Sequence, residues 1–140
     1  MKKSILIIFC LGILVLVAGC STVKNSKIYV EDKELATGES TNLTLEIIYE
    51  NQLGGSPTPQ SFSIQFITGK HLEVRNDRYG QGIKNDVALN VTGKTTKSYY
   101  LMAKDVYSGQ EVETVEIVLT SSDGTINQRL RSDFILIKNR

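Results

Sequence analysis

From residue 28 onward, apolar and polar side chains alternate with a period of two, in short runs separated by turn-forming residues. The clearest run is TNLTLEIIYEN at 41–51, where Leu43, Leu45, Ile47 and Tyr49 share one face and Thr44, Glu46 and Glu50 the other. Such alternation marks a strand with one side buried and one in water. SFSIQF repeats it, with Phe62, Ile64 and Phe66 inward. Further strands are expected at Ile28 to Val30, Leu72 to Arg75, Val87 to Thr92, Ser98 to Lys104 and Val112 to Thr120, with two short runs between Thr125 and Lys138. Between them stand LGGSPTP (53–59), RNDRYGQG (75–82), TGK (92–94), YSGQ (107–110) and SSDGT (121–125). These are residue types that turn a chain, and Asp123-Gly124 between two β-runs is the strongest hairpin signal. No segment after residue 20 carries a helical stripe of apolar residues.

About seven to nine short strands without intervening helices predict an all-β fold, an antiparallel β-sandwich over residues 28–140. The long runs at 41–50 and 111–120 are expected in the middle of their sheets. The run LATGESTNLTLEIIYEN (35–51), a glycine-containing turn, a strand rich in Thr and aliphatic residues, then a polar stop, is similar to the immunoglobulin-like group of exported bacterial and archaeal modules. That group includes adhesion-related domains of cell-surface proteins. Antibody-type members would carry a cysteine pair and a core tryptophan, whereas this chain has no Trp and only two Cys, both in the first twenty residues.

Those first residues follow a different pattern. Lys2 and Lys3 precede an uninterrupted apolar run from Ile5 to Val17, then Ala18-Gly19 and Cys20. A charged start, an apolar centre and a small-residue end are the three regions of an export signal. The run is too short for a span, which takes about 20 apolar residues, and it lacks the polar face of a core helix. Val17-Ala18-Gly19-Cys20 resembles the lipobox of bacterial lipoprotein precursors, with Val17 in place of the usual leucine. The resemblance implies a helical signal peptide over 1–19, alkylation of the Cys20 thiol by a diacylglyceryl group of palmitate-type chains, and cleavage between Gly19 and Cys20. Each methylene of such chains contributes about 0.8 kcal/mol on entering the bilayer, so two or three chains hold a protein firmly. The implied location is exported and lipid-anchored, at the cell membrane or at an outer membrane where the host has one. The latter is favoured by Ser21 in place of aspartate, by resemblance to the enterobacterial sorting rule. The polar segment Ser21 to Lys27 is then expected to act as a short tether.

Composition adds exclusions. The formal net charge is +1 from 16 basic and 15 acidic residues, interleaved along the chain. A polyanion binder needs a basic stripe that neutralises several phosphates, so nucleic acid is not an expected partner. Cys10 would leave with the signal and Cys20 would be lipidated, so no thiol remains for a disulfide, a zinc site or a nucleophile. The mature domain must fold by burying its own apolar surface, which its size allows.

Candidate chemistry is sparse. His71 is the sole histidine, without the G-x-S-x-G setting of an activated serine or the partners of a zinc site. Asp77, Asp86, Asp105 and Asp123 fall in expected loops but lack the D-x-D-x-D-G spacing of a calcium loop, and read as turn-forming residues. YGQGIKND (79–86) contains G-x-G without the strand and helix of a phosphate cradle, and reads as a mobile loop. Asn42-Leu43-Thr44 and Asn90-Val91-Thr92 match the glycosylation acceptor pattern at the frequency chance allows. No cofactor, metal or enzymatic activity is expected.

The stretch KSYYLMAKDVY (97–107) is more informative. Alternation sends Tyr99, Leu101 and Ala103 to one face and Ser98, Tyr100 and Met102 to the other, so one tyrosine faces the core and its neighbour the outside. Exposed tyrosines favour contact surfaces, which makes Tyr79, Tyr107 and one of Tyr99 or Tyr100 the candidate binding residues. The expected function is that of a non-catalytic, membrane-anchored module which contacts an envelope protein or surface polymer, or has a structural role there. An accessory subunit, inhibitor or immunity-type lipoprotein would instead show an exposed apolar patch or open sheet edge. An enzyme would show a deep pocket with convergent side chains.

Overall fold

The structure is a computed structural model describing residues 21–23, 26–51, 57–105 and 109–139. Val17 to Cys20, the signal peptide and Tyr107 lie outside the described residues. The strands are β1 (Ser21–Val23), β2 (Lys27–Val30), β3 (Glu34–Ala36), β4 (Ser40–Asn51), β5 (Gln60–Thr68), β6 (Leu72–Arg75), β7 (Asn85–Val91), β8 (Gly93–Ala103), β9 (Gln110–Glu113), β10 (Val115–Ser121), β11 (Asn127–Arg131) and β12 (Ile135–Lys138). There is no helix among the described residues.

One sheet runs β1-β4-β8-β6, with β2 also pairing β4, and the facing sheet runs β11-β10-β5-β7. A small third sheet, β3-β12-β9, lies at the end where β4 begins. Every pairing is antiparallel except β3 with β12. This is the β-sandwich of immunoglobulin-like type that the alternation predicts, with β4 and β10 in the middle of their sheets.

The period of two builds the core directly. Leu43, Leu45 and Ile47 of β4, Phe62 and Ile64 of β5, and Val115, Ile117 and Leu119 of β10 are all fully buried. Full burial of such a side chain stabilises by about 1.5–3 kcal/mol. Two edge-to-face aromatic pairs join the sheets: Tyr49 with Phe62 at 5.6 Å between centroids, and Phe66 with Tyr99 at 4.8 Å. The sandwich interior is therefore filled by side chains of both sheets, as close-packed cores are.

The departures from expectation have physical causes. The run 112–120 is two strands, because Val112 and Val115 are three residues apart and cannot share a face. Val112 goes to the third sheet and stays 57% exposed, while Val115 opens β10 fully buried. β8 begins at Gly93, because polar residues 94–97 pair with Ile48 to Leu45. Thr95 and Thr96 are β-branched and suit a strand, and pairing with a central strand carries the two lysines along with them. TGK is a crossing from one sheet to the other rather than a hairpin, and it uses φ of 51° at Asn90 and 62° at Gly93. SSDGT does form the β10–β11 hairpin. Gly124 has φ 73°, and Asp123 Oδ1 accepts bonds from Thr125 N–H, Thr125 Oγ1–H and Ser121 Oγ–H at 2.6–3.0 Å.

The expected tether over Ser21 to Lys27 is corrected. Ser21 pairs with Asn51 and Val23 with Tyr49, then Lys27 pairs with Glu46 and Val30 with Leu43. Between them Ser26 is buried and its Oγ accepts the Ile48 N–H at 3.1 Å. The polar segment is thus the first edge strand, in two pieces, and starts at the pole that also carries the β7–β8 crossing and the β10–β11 hairpin.

Candidate functional site

Tyr99 and Tyr100 divide as alternation requires. Tyr99 is 1% exposed, so it is withdrawn from the candidate surface. Its outward neighbour Tyr100 lies opposite Asn42 of β4 and Arg75 of β6. There it lines an open groove of about 310 Å³ with Glu31, Asp32, Ser40, Thr41, Asn42 and Arg78.

Short bonds shape one wall. Thr41 Oγ1 donates to Asp32 Oδ2 at 2.8 Å and accepts the Asp32 N–H at 3.0 Å. Asn42 Nδ2 donates to Glu31 Oε2 at 2.5 Å, and Glu31 N–H to the Asn42 carbonyl at 3.0 Å. Each carboxylate therefore keeps its second oxygen without an intramolecular partner among the described residues. Arg78 comes from the RNDRYGQG loop and makes no ion pair among them either. That loop is fastened: Tyr79 N–H bonds Asp77 Oδ1 at 3.0 Å, Arg75 bridges to Gly82, and Ile83 N–H reaches the Val74 carbonyl at 2.7 Å. Tyr79, next to Arg78, is 90% exposed.

A second polar cluster is internal. Asp86, expected in a loop, sits in edge strand β7 opposite the buried Ile64, and so points between the sheets. Lys97 Nζ and Tyr99 Oη, both from β8 of the facing sheet, donate to its Oδ2 at 2.5 and 2.7 Å. Lys97 also donates to the Val87 carbonyl at 2.8 Å and lies 5.9 Å from the Tyr99 ring centre. Burial alone raises the Asp86 carboxyl, but the bonds from Lys97, Tyr99 and the Val87 N–H outweigh it and hold it below the ordinary carboxylate range. The same burial, followed by the nearby carboxylate, pushes the Tyr99 phenol far above its usual value. These groups join the sheets at an otherwise open margin and are bonded to one another there.

The other candidates stay apart. His71 Nδ1 contacts the Asp105 carbonyl at 2.7 Å, and the His71 backbone N–H donates to the Glu113 carboxylate at 2.9 Å. Asp77 and Asp123 hold their own turns. Among the described residues, no three His, Cys, Asp or Glu side chains come together as a metal site requires. Glu73 is held below the carboxylate range by Arg75, its main partner, at 2.7 Å, and by Lys104 at 3.2 Å. A smaller depression of about 280 Å³ lies between β2 and β12, lined by Ile28, Val30 and Ile135 and flanked by the Lys33–Asp133 ion pair.

Sequence reasoning puts Tyr100 and Tyr79 on the surface, where the structure also has them, but does not point to Glu31, Asp32, Asn42 and Arg78, which the β2–β4–β8 register and the β6–β7 loop bring beside Tyr100. The clasp had one available signal, an acidic residue at an inward-facing position of NDVALNV.

No family model matches the chain, and no curated protein matches it. Among solved structures, a portion of native E. coli alpha-2-macroglobulin superposes with a TM-score of 0.54 at 15% identity, covering 81% of this chain and 6% of that one. The chain thus spans a small part of that protein, and the likeness is one of fold. Two bacterial lipoproteins also superpose. The conjugative transposon lipoprotein of Bacteroides eggerthii does so at TM-score 0.47 and 14% identity, over 81% of this chain and 97% of that one. A lipoprotein of Bacteroides thetaiotaomicron gives 0.46 and 16%, over 86% and 85%.

Proposed function

We propose that the protein is an exported, lipid-anchored, non-catalytic module that contacts an envelope protein or surface polymer through the groove at Tyr100. The carrying observation is a contrast between inside and outside. The interior is filled and its titratable cluster is mutually bonded, whereas the groove is lined by Tyr100 and by Glu31, Asp32 and Arg78, of which each carboxylate has one oxygen, and the guanidinium all its ion-pairing capacity, unused among the described residues. Interaction surfaces collect tyrosine and arginine in this way.

The anchor reading rests on the tripartite N-terminus and the Val17 to Cys20 pattern. Because β1 starts at Ser21, a lipid on Cys20 would hold the pole of the β7–β8 crossing against the bilayer without a free linker, and the groove would face away from it. Fatty-acid labelling of the native chain against Cys20→Ser tests this, and equal labelling refutes it. Capture of envelope components by the native chain, compared with Tyr100→Ala combined with Arg78→Ala, tests the groove. Equal capture by both removes it.

One observation favours an accessory subunit that binds a single exported partner. β7 ends its sheet, with Val87 49% and Leu89 71% exposed, and open edges accept a partner strand. The Lys97 bond to the Val87 carbonyl already occupies part of that edge. Leu89→Lys would abolish capture in this second reading and leave it intact in the first.

A further inference from the structure

We propose that the pole of the sandwich from which the N-terminus leaves is a lipid-contacting surface, with Leu89 reaching into the headgroup layer of a zwitterionic phospholipid bilayer. This rests on the anchored reading above and goes beyond it, because an anchor alone leaves a domain free to stand or lie in any attitude. What removes that freedom is the backbone of β1. Ser21 pairs with Asn51 and Thr22 with Glu50 at the last rungs of β4. Neighbouring Cα atoms are about 3.8 Å apart, so a lipid on Cys20 has no spacer between it and the sheet. The turns at this pole are held together. Gly93, at the end of the β7–β8 crossing, pairs with Tyr49, and Gln60, which opens β5, pairs with Val91 and donates to Asp123 of the β10–β11 hairpin at 3.2 Å. Whatever these turns expose is therefore brought to the membrane surface as one rigid face.

Leu89 is 71% exposed there, on a bulge. Ala88 pairs with Phe62 and Val91 with Gln60, so Leu89 and Asn90 together stand opposite Ser61, and Asn90 takes a φ of 51°. A bulge bends its strand and re-aims a side chain. It also blunts an edge against strand addition, and Lys97 already holds the neighbouring Val87 carbonyl. An apolar side chain turned outward at such an edge suits a fluid surface better than a paired strand.

Charge selects the lipid class. Along residues 57–61, 89–94 and 121–127 the charged side chains are Lys94 and Asp123. Lys94 is paired with Glu46 at 2.9 Å, and Asp123 accepts from Ser121, Thr125 and Gln60. Glu50, beside β1, adds a further negative charge. Most of the others are Ser, Thr, Asn, Gln, Gly or Pro, which meet headgroups and water without a charge to desolvate. No unpaired Lys or Arg among these residues offers an anionic headgroup a partner, as a surface built for anionic lipid does. The opposite end, around the third sheet, instead carries the exposed ion pairs Lys33–Asp133 and Lys138–Glu34.

The chain contains no tryptophan, so Leu89→Trp carries a sole reporter at this pole. Val112→Trp carries one at the opposite end, on edge strand β9, where Val112 is 57% exposed; it controls for the liking of tryptophan itself for interfaces. Each full chain, produced in a lipoprotein-processing host and purified in mild detergent, is reconstituted into phosphatidylcholine vesicles that contain lipid brominated on the upper acyl chain. Both variants should float with the vesicles, and unchanged urea midpoints establish that both are folded. Leu89→Trp should lose about half or more of its emission, as a side chain about 5–10 Å into the headgroup boundary would, while Val112→Trp should lose little. Replacing part of the phosphatidylcholine by phosphatidylglycerol should not increase the loss. Equal quenching of the two variants, no quenching of floated Leu89→Trp, or quenching that requires the anionic lipid overturns the proposal and leaves the anchored reading standing. Failure of the native chain to float removes both.

Discussion

Replacing Tyr99 by phenylalanine removes one oxygen atom and asks what joins the two sheets at the β7–β8 margin. The ring remains, so its burial and its edge-to-face contact with Phe66 are retained. Only the 2.7 Å bond to Asp86 Oδ2 is lost. Hydrogen bonds to charged groups contribute about 1.5–3 kcal/mol. The Asp86 side chain is 26% exposed, so water replaces part of the bond, and the expected loss lies at the low end, about 1.5 kcal/mol. Asp86→Ala is a harsher change, because it leaves the Tyr99 hydroxyl without its acceptor and Lys97 without its carboxylate. It should cost about 3 kcal/mol. Once Asp86 is gone the hydroxyl has nothing to bond, so the double variant should cost less than the sum of the singles by about 1 kcal/mol. Urea unfolding followed by tyrosine fluorescence reads these as shifts in midpoint at constant slope. A Tyr99→Phe protein within about 0.5 kcal/mol of the native chain, with additive double-variant behaviour, would refute the clasp.

Asp86 titrates below the usual carboxylate range, so the folded state binds its proton less readily than the unfolded chain does. Its contribution is complete above the unfolded value of about 3.9 and drains away as pH falls through the lower folded value. Native stability should therefore fall more steeply below about pH 4 than that of Asp86→Asn, and parallel curves in acid titrations would contradict this. In alkali the order reverses. Burial and then the Asp86 carboxylate keep the Tyr99 phenol protonated, so ultraviolet titrations of the native chain and Tyr99→Phe should superimpose until unfolding. An additional phenolate in the native chain before that point is the contrary result. Ser26→Ala leaves the Ile48 N–H without its 3.1 Å partner and should cost about 1–2 kcal/mol in urea, whereas a free tether would give no change. Gly124→Ala places a Cβ at φ 73° and should lower the calorimetric melting temperature by about 4 °C, through about 1 kcal/mol of left-handed strain. An unchanged melting point would count against the hairpin geometry.

Alternation carried most of the fold. Leu43, Leu45, Ile47, Phe62, Ile64, Ile117 and Leu119 are buried as their parity demands, because a one-residue slip would turn a whole strand inside out. Where parity breaks, as between Val112 and Val115, the strand breaks with it. The three-residue strands β1 and β3 are not legible: β1 is polar and is a strand by pairing with the backbone of β4, and β3, although Leu35 is buried in the core, is too short to show alternation. The candidate site divides in the same way. Tyr100 follows from parity alone, while Arg78, Glu31 and Asp32 reach it through long-range register that no local pattern encodes. Asp86 was read as a loop residue since an aspartate is rarely placed facing inward, and its partners Lys97 and Tyr99 lie on the opposite sheet.

The N-terminal edge strand sets how the molecule bears load. Ser21 leaves the fold beside the end of β4, and the groove wall at Ser40 to Asn42 is at that strand's beginning. Tension between a fixed N-terminus and a ligand held at the groove would draw β1 and β2 one way along β4 and β4 the other. The backbone bonds between them would then be strained in shear, all together, instead of being peeled open one after another. A chain held by its first residues in a moving fluid would gain grip from that geometry, and the same strand pulled sideways would unzip under far smaller force.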